Sequence, residues 1–483
     1  MMTEPQTSLL NYKNFHLYIN GEHIHTVHHI PVYHKYTGEL IASISKAEKQ
    51  HVKEAVSAAE KIFKSDKLTA IQRSNILSKA ADLMEQRRED FEVSLVREVG
   101  KTRKDASGEL DRTINTIRLS AEEAKRIAGE MIPLQATEGS DNRLGFTIRV
   151  PKGVIGVITP FNYPLLLGIH KIAPALAAGN TIVIKPATST PLATFQLVEL
   201  LEEAGLPKGY VNIITGTGSE VGEWLLEDER IAMYTFTGSG EVGKHIKERS
   251  GLRPVALELG NNSPNIVHND ADLDLAAKLT ASRSFHNAGQ ACIAVQRLYV
   301  HQSVLKEFTE NYLSHVQQLI VGDPEKTETD VGPMISEKDA IRSEEWVREA
   351  IEQGAKSLLP LKREGAVLYP VVLVDTNPAM KVVCKEVFAP IVCIIPYQDI
   401  EEAFHSANQS EYGLQAGIFT RDLQLAMRAA KVLEYGGVII NDVSTYRNDV
   451  MPYGGVKNSG LGKEGPHYAI QEMTDERMVV MNL

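Results

Sequence analysis

Five short β-branched runs divide residues 154–259: VIGVI at 154–158, TIVIKP at 181–186, VNIIT at 211–215, MYTFT at 233–237 and VALEL at 255–259. Their starts lie twenty to thirty residues apart, with helix-like sequence between them. Parallel neighbours need a crossover of a dozen or more residues, usually helical, so this rhythm predicts βαβ units and a doubly wound, nucleotide-binding type of sheet. Gly179 after the apolar stretch 165–178 and Gly205 after 192–204 stand where a left-handed helix cap is wanted.

A second alternation follows, with a helix over 273–287, RLYVH at 297–301, a long helix over 304–319, and strands at 371–375, 391–396 and 437–441. The 483 residues exceed the roughly 250–300 at which single cores stop growing. The second alternation is therefore read as a second α/β domain. The tail ERMVVMNL at 476–483 is extended and short of local partners, and is expected to pair with another element or another subunit.

Composition narrows the function classes. With 43% hydrophobic and 23% charged residues and no low-complexity tract, disorder is expected only in the first dozen positions. The 51 basic residues face 62 acidic ones, with no Lys/Arg block to neutralise phosphates, so no nucleic-acid partner is expected. Residues 1–10 carry Glu4 and Pro5 without a positive lead, which reads as no signal peptide and a cytoplasmic chain. The most apolar region, 154–187, is broken by Asn162, His170, Lys171, Asn180 and Lys185, so no membrane span is expected. Cys292, Cys384 and Cys393 have neither zinc-site nor disulfide spacing and read as free thiols, with no metal.

Three positions could carry chemistry. Cys292 sits in FHNAGQACIAVQR, where Gly289 permits a close turn; alone, it reads as a small core hydrophobe. Glu258 closes VALEL at the carboxyl edge of a predicted parallel strand, where α/β ligands bind, although most such glutamates are surface or capping residues. Asn162 lies in TPFNYP between Pro160 and Pro164, where a turn asparagine is the ordinary reading.

Together these strings say more. TPFNYP, LELG with the GQAC cysteine 34 residues after Glu258, and EVFAP at 386–390 occur in that order, with FTGS at 236–239 and PYGGVKNSGLGKEG at 452–465. From about residue 15 to its end the chain resembles the aldehyde dehydrogenase superfamily. The resemblance implies an α/β fold with a Rossmann-like cofactor domain (1–128 and 150–257) and an α/β catalytic domain (258–443). It also implies a substrate or anchor loop (444–466) and a small β oligomerisation arm (129–149 and 467–483) that gives a homodimer or homotetramer.

By the same resemblance, Cys292 is the nucleophile that forms a thiohemiacetal and then a thioester. Asn162 and the Cys292 backbone N–H hold the oxyanion, each such donor being worth about 3–4 kcal/mol. Glu258 is the general base that activates water. NAD or NADP is expected along Thr159, Pro160, Phe161, Lys185, Thr188, Gly216, Gly238, Ser239, Leu259, Gly260, Glu386 and Phe388. Lys185 matches the lysine that reaches the adenosine ribose, and Glu386 and Phe388 match nicotinamide-ribose contacts. Gly238 and Ser239 offer free N–H groups at a helix start to the pyrophosphate. Thr188 stands where NAD-preferring relatives often have a glutamate that repels a 2′-phosphate, so NADP is admitted beside NAD.

For the aldehyde, Arg112, Tyr163 and Arg447 match positions that hold an anionic tail; the competing reading is ion pairs worth roughly 0–1 kcal/mol when exposed. Ala291 lacks the third arginine of phosphate-selective relatives, which disfavours glyceraldehyde-3-phosphate. Lactaldehyde, sulfolactaldehyde, phosphonoacetaldehyde and succinate semialdehyde remain. Asn261 replaces a usual glycine and could crowd the cofactor, although asparagine tolerates left-handed backbone. Three rival readings stand beside this one: a CoA-acylating dehydrogenase, disfavoured by Glu258; a non-catalytic protein on the same fold; and a cysteine hydrolase pairing Cys292 with His286.

Overall fold

The computed structural model describes residues 13–65 and 67–483; the stretch 1–10 considered above for a signal peptide lies outside the described residues. A long helix α1 (Arg103–Glu123) precedes the arm strand β1 (Arg143–Pro151). The expected alternation follows as β2 (Val154–Ile158), α2 (Pro164–Ala178), β3 (Thr181–Lys185), α3 (Leu192–Glu203), β4 (Val211–Ile213), β5 (Ile231–Thr237), α4 (Gly240–Arg249) and β6 (Val255–Glu258). Gly179 ends α2 at φ 93°, and Gly205 follows α3 at φ 106°, a conformation that costs a side-chain-bearing residue more than glycine.

These strands lie in the order β6-β5-β2-β3-β4, each parallel to its neighbours, with antiparallel strands added at both edges to make eight. The chain builds outward from β2 through β3 to β4, then returns to the other side of β2. That reversal opens a crevice at the carboxyl ends of β2, β5 and β6, where Asn162, Gly238 and Glu258 follow. Every residue of α2 is buried, which fixes the loop before it. Residues such as Leu165, Ile169 and Ile172 each contribute about 1.5–3 kcal/mol by that burial.

The second sheet contains β7 (Ser263–Val267), β8 (Val295–His301), β9 (Val371–Val374), β10 (Ile391–Tyr397), β11 (Gln415–Phe419) and β12 (Gly437–Ile440). Their order is β9-β10-β8-β7-β11-β12, all parallel, with a two-residue antiparallel strand outside β9. The helix expected over 273–287 stops earlier, at Leu273–Ser284, because Asn287, Ala288 and Gly289 turn left-handed. The helix expected over 304–319 spans Leu305–Val316.

The stretch 444–466 is more than a loop. Val456–Lys457 pairs with Tyr412–Gly413, and Gly460–Leu461 pairs with the end of β6. It thereby links the end of β6 to the short strand that precedes β11, beside Glu258. A short helix, Pro466–Glu472, packs on α1 and α2. The last strand, Thr474–Asn482, pairs antiparallel with all nine residues of β1 and leaves its other edge open.

Candidate active site

The backbone before Cys292 is bent by three consecutive left-handed residues, Asn287 (φ 50°), Ala288 (φ 52°) and Gly289 (φ 71°). The first two carry side chains, and such conformations cost about 1–3 kcal/mol each and persist only where the surroundings enforce them. Those surroundings are present: Asp105 accepts from the Asn287 N–H at 2.9 Å, and the Asn287 amide donates to the Asn162 carbonyl at 3.2 Å. A Cβ on Gly289 would lie 2.2 Å from the Ala389 carbonyl oxygen, so glycine is required there.

This turn delivers Cys292 to a cavity of about 390 Å³ whose wall includes Asn162, Tyr163, Arg112, Arg447 and Tyr453. The Cys292 Sγ lies 3.2 Å from the Tyr453 hydroxyl. Burial pushes the thiol up to about 11, against the opposing influence of Tyr453 and Arg447. The Asn162 amide donates one hydrogen to the Gln290 carbonyl at 2.9 Å, which aims the group at the loop carrying the thiol.

Two buried carboxyls stand nearby in opposite states. Glu258 is 6% exposed, and its Oε2 has no hydrogen-bond partner. Burial, with the charge of Glu464, pushes it well above the usual carboxylate range. Glu464 accepts from Lys171 and from Arg447, each at 2.8 Å. Those cations outweigh burial and hold it well below that range.

The two arginines expected to hold an anionic tail already face carboxylates. Arg112 pairs with Asp449 at 2.7 Å, and Arg447 pairs with Glu464, lies 3.7 Å from Asp449 and stacks 3.6 Å over the Tyr453 ring. Tyr163 carries Lys101 over its ring at 3.4 Å. A further cation lines the cavity, Arg283 in the last turn of the 273–284 helix, and among the described residues it has no acceptor. His286 pairs with Asp105 at 3.2 Å while Cys292 contacts Tyr453, so no Cys–His hydrogen bond exists here.

The residues expected to meet the cofactor lie largely along the carboxyl ends of the first sheet. Lys185 is buried and, among the described residues, its Nζ donates only to the Pro186 carbonyl at 3.2 Å; burial pushes it down to about 8. Thr188 donates to the carbonyl of Gly216 at 2.9 Å, and no carboxylate replaces it beside Lys185. The Thr159 hydroxyl is buried without a partner, and Thr159 leads through Pro160 to Phe161, whose ring meets Phe388 edge-on at 5.8 Å. Glu386 accepts from the Asn261 N–H at 2.9 Å, and burial pushes its carboxyl up to about 7. A Cβ on Gly260 would lie 2.6 Å from that carboxylate.

Three details depart from expectation. The Gly238 N–H is not free, because it donates to the Glu258 carbonyl at 3.0 Å; the open first-turn amides belong to α4, after Ser239. Leu259 likewise spends its N–H on the Ser459 carbonyl, at 2.9 Å, and packs its side chain against Gly243. Asn261 adopts no left-handed φ, and its amide turns away to Ser263 at 2.7 Å and to Leu414 at 3.3 Å, joining the strands instead of crowding the cleft.

Residues 23–479 match the aldehyde dehydrogenase family. The chain belongs to that family. It is 52% identical over 477 residues to the 3-sulfolactaldehyde dehydrogenase of Priestia aryabhattai, covering 99% of this chain and 100% of that one. It is 40% identical to the lactaldehyde dehydrogenase of Methanococcus maripaludis, over 94% of this chain and 97% of that one. Among solved structures, the NADP-dependent glyceraldehyde-3-phosphate dehydrogenase of Bacillus halodurans complexed with NADP superposes with a TM-score of 0.94. That pair is 40% identical and covers 97% of this chain and 99% of the other.

This aldehyde dehydrogenase is an NAD(P)-dependent oxidoreductase that takes an aldehyde substrate. Its own residues fit the cofactor: a buried lysine without a carboxylate partner among the described residues, an orphaned buried hydroxyl and an open helix N-terminus stand at the carboxyl ends of β3, β2 and β5. Among the described residues no His/Cys/Asp/Glu group is arranged to hold a metal ion, and no helix is long and apolar enough to cross a membrane. Reading the sequence missed Tyr453, Asp449, Glu464 and Arg283. Tyr453 and Glu464 both lie in PYGGVKNSGLGKEG, whose recognition was the one available signal.

Proposed function

We propose that this aldehyde dehydrogenase oxidises a small anionic aldehyde, first among them 3-sulfolactaldehyde, to its carboxylate through a thioester on Cys292. The full-length 52% identity to an enzyme of that name is the observation that carries the substrate. The unpartnered Arg283 in the cavity wall agrees with it.

In this reading the Cys292 thiolate adds to the carbonyl carbon while the Asn162 amide and the Cys292 N–H stabilise the oxyanion. NAD(P)+, when bound, would supply the hydride acceptor. Glu258 then takes a proton from water, the water oxygen attacks the thioester carbon, and the thiolate leaves with the carboxylic acid released. Lys185 and Thr188 would hold the adenosine ribose, the start of α4 the pyrophosphate, and Glu386 and Phe388 the nicotinamide ribose. Thr188, being uncharged, repels no 2′-phosphate, so both cofactors are admitted. Arg112, Tyr163 and Arg447 shape the aldehyde pocket, the two arginines working as members of ion-paired walls.

The domain limits given above are retained, and the arm is assigned to a homodimer or homotetramer. Its open edge strand exposes Met478, Val480 and Met481, each more than 40% accessible, which supports burial against another copy. Three cysteines without disulfides suit a cytoplasmic setting.

The test is NAD and NADP reduction against sulfolactaldehyde, phosphonoacetaldehyde, succinate semialdehyde and neutral lactaldehyde, repeated with Arg112→Ala, Arg447→Ala and Arg283→Ala. Sulfolactaldehyde is expected to give the highest kcat/KM, with Arg283→Ala narrowing its lead over lactaldehyde. Equal efficiency toward lactaldehyde would overturn the anionic substrate and leave the family assignment standing.

A further inference from the structure

The Cys292 thiol has one hydrogen-bonding neighbour among the described residues, the Tyr453 hydroxyl at 3.2 Å. Tyr453 is 2% exposed, so its side chain is held almost wholly within the protein at the cavity wall. Its ring is fixed by Arg447, stacked at 3.6 Å, and Arg447 is fixed in turn by Glu464 at 2.8 Å. His286, the nearest alternative base in sequence, is turned to Asp105, and Glu258 makes no hydrogen bond to the thiol.

While the sulfur is a thiol, either atom can donate in this contact. Once the sulfur is a thiolate it has no hydrogen to give, and only the phenol O–H can bridge the pair. The contact therefore favours the ionised sulfur over the neutral one. The stacked guanidinium makes the phenol a better donor and places a positive charge behind it.

We infer that Tyr453 is a catalytic residue, its hydroxyl donating to the Cys292 sulfur so that a thiolate can form before the aldehyde is attacked. The inference rests on the reading of Cys292 as nucleophile. No proton is consumed by the tyrosine: the thiol proton leaves to solvent or to Glu258, and the phenol keeps its own hydrogen throughout. When the sulfur adds to the aldehyde its negative charge passes to oxygen, and the bond from Tyr453 loses its advantage. Tyr453 thus holds the sulfur ready before attack and releases it afterwards.

The experiment is iodoacetamide alkylation of the full-length protein at pH 8, followed on the Cys292 peptide by mass spectrometry because Cys384 is exposed. A hydrogen bond to a charged group commonly changes a pKa by about one to two units, so Tyr453→Phe is expected to slow Cys292 alkylation about 10–100-fold. Tyr453→His, which retains a ring donor, is expected to recover part of the rate. An unchanged or faster rate in Tyr453→Phe overturns the proposal. So does a Tyr453→His variant as slow as Tyr453→Phe, which would assign the residue to shape alone. Should Tyr453→Phe fail to fold, the comparison of Tyr453→His with the parent decides: near-parental alkylation supports the donor, and loss as deep as 100-fold rejects it. Turnover of Cys292→Ala separates the two readings. Activity retained there would remove the nucleophile, while the alkylation result would still report the contact.

Discussion

Glu258 and Glu464 are neighbouring buried glutamates, and their surroundings treat them in opposite ways. Glu464 sits between Lys171 and Arg447 and stays ionised despite burial. Glu258, at the end of β6, is desolvated by burial and feels Glu464 as a neighbouring like charge, so it keeps its proton well above the usual range. Pairs of titratable groups pushed apart in this way separate structural from reactive roles. The paired carboxylate fixes Arg447 over Tyr453, whereas the unpaired one is free to exchange a proton.

The largest way to break this comparison is Glu258→Gln, which keeps shape and removes the base. Steady-state turnover should fall about 10²–10⁴-fold, measured as NADPH or NADH formation, while cofactor binding followed by fluorescence stays within a few-fold. Turnover within a factor of two of the parent would place the base elsewhere.

Next in size is Glu464→Gln, which leaves Lys171 and Arg447 buried with one carboxylate fewer. Breaking such a pair costs about 3–5 kcal/mol, so the denaturation midpoint should drop clearly in urea. A small drop would mean that water or Asp449 compensates.

The finest comparison is with pH. Glu464 and Asp449 bind protons less tightly folded than unfolded, so their stabilisation is present above the unfolded values of 4.5 and 3.8 and drains away as pH falls toward their folded values. Glu258 runs the other way: folding raises its proton affinity above 4.5, so stability declines as pH climbs from there through its folded value. Glu258→Gln should therefore match the parent in Tm near pH 4 and exceed it at pH 8. Differential scanning fluorimetry across that range checks the sign.

The five parallel strands of the first sheet were legible because they are β-branched runs spaced at regular intervals, whereas its three antiparallel edge strands, Leu17–Ile19, Glu22–Ile24 and Gly460–Leu461, are too short to show such a run. In the second sheet β7 was not, since SPNIV opens on Ser, Pro and Asn and shows no apolar run, although it is central and buried. Cys292, Glu258 and Asn162 could be picked out as a set only by their order and spacing along the chain. The pairing of Arg112 with Asp449, 337 residues away, has no trace in local pattern, and so the sequence left an anion-binding role and an ion pair open for both arginines without naming the partner carboxylates. The left-handed turn at Asn287 and Ala288 was equally hidden, because neither residue type demands it; Asp105 and the Ala389 carbonyl impose it from elsewhere in the chain.

The central claim, a thioester on Cys292 released by Glu258, is tested most directly in the Glu258→Gln protein mixed with excess aldehyde and NADP. The account predicts a burst of one NADPH per active site, then near-arrest, with the acyl mass retained on the Cys292 peptide. A Glu258→Gln protein that produces no burst, or that carries the acyl group on any other residue, would contradict it.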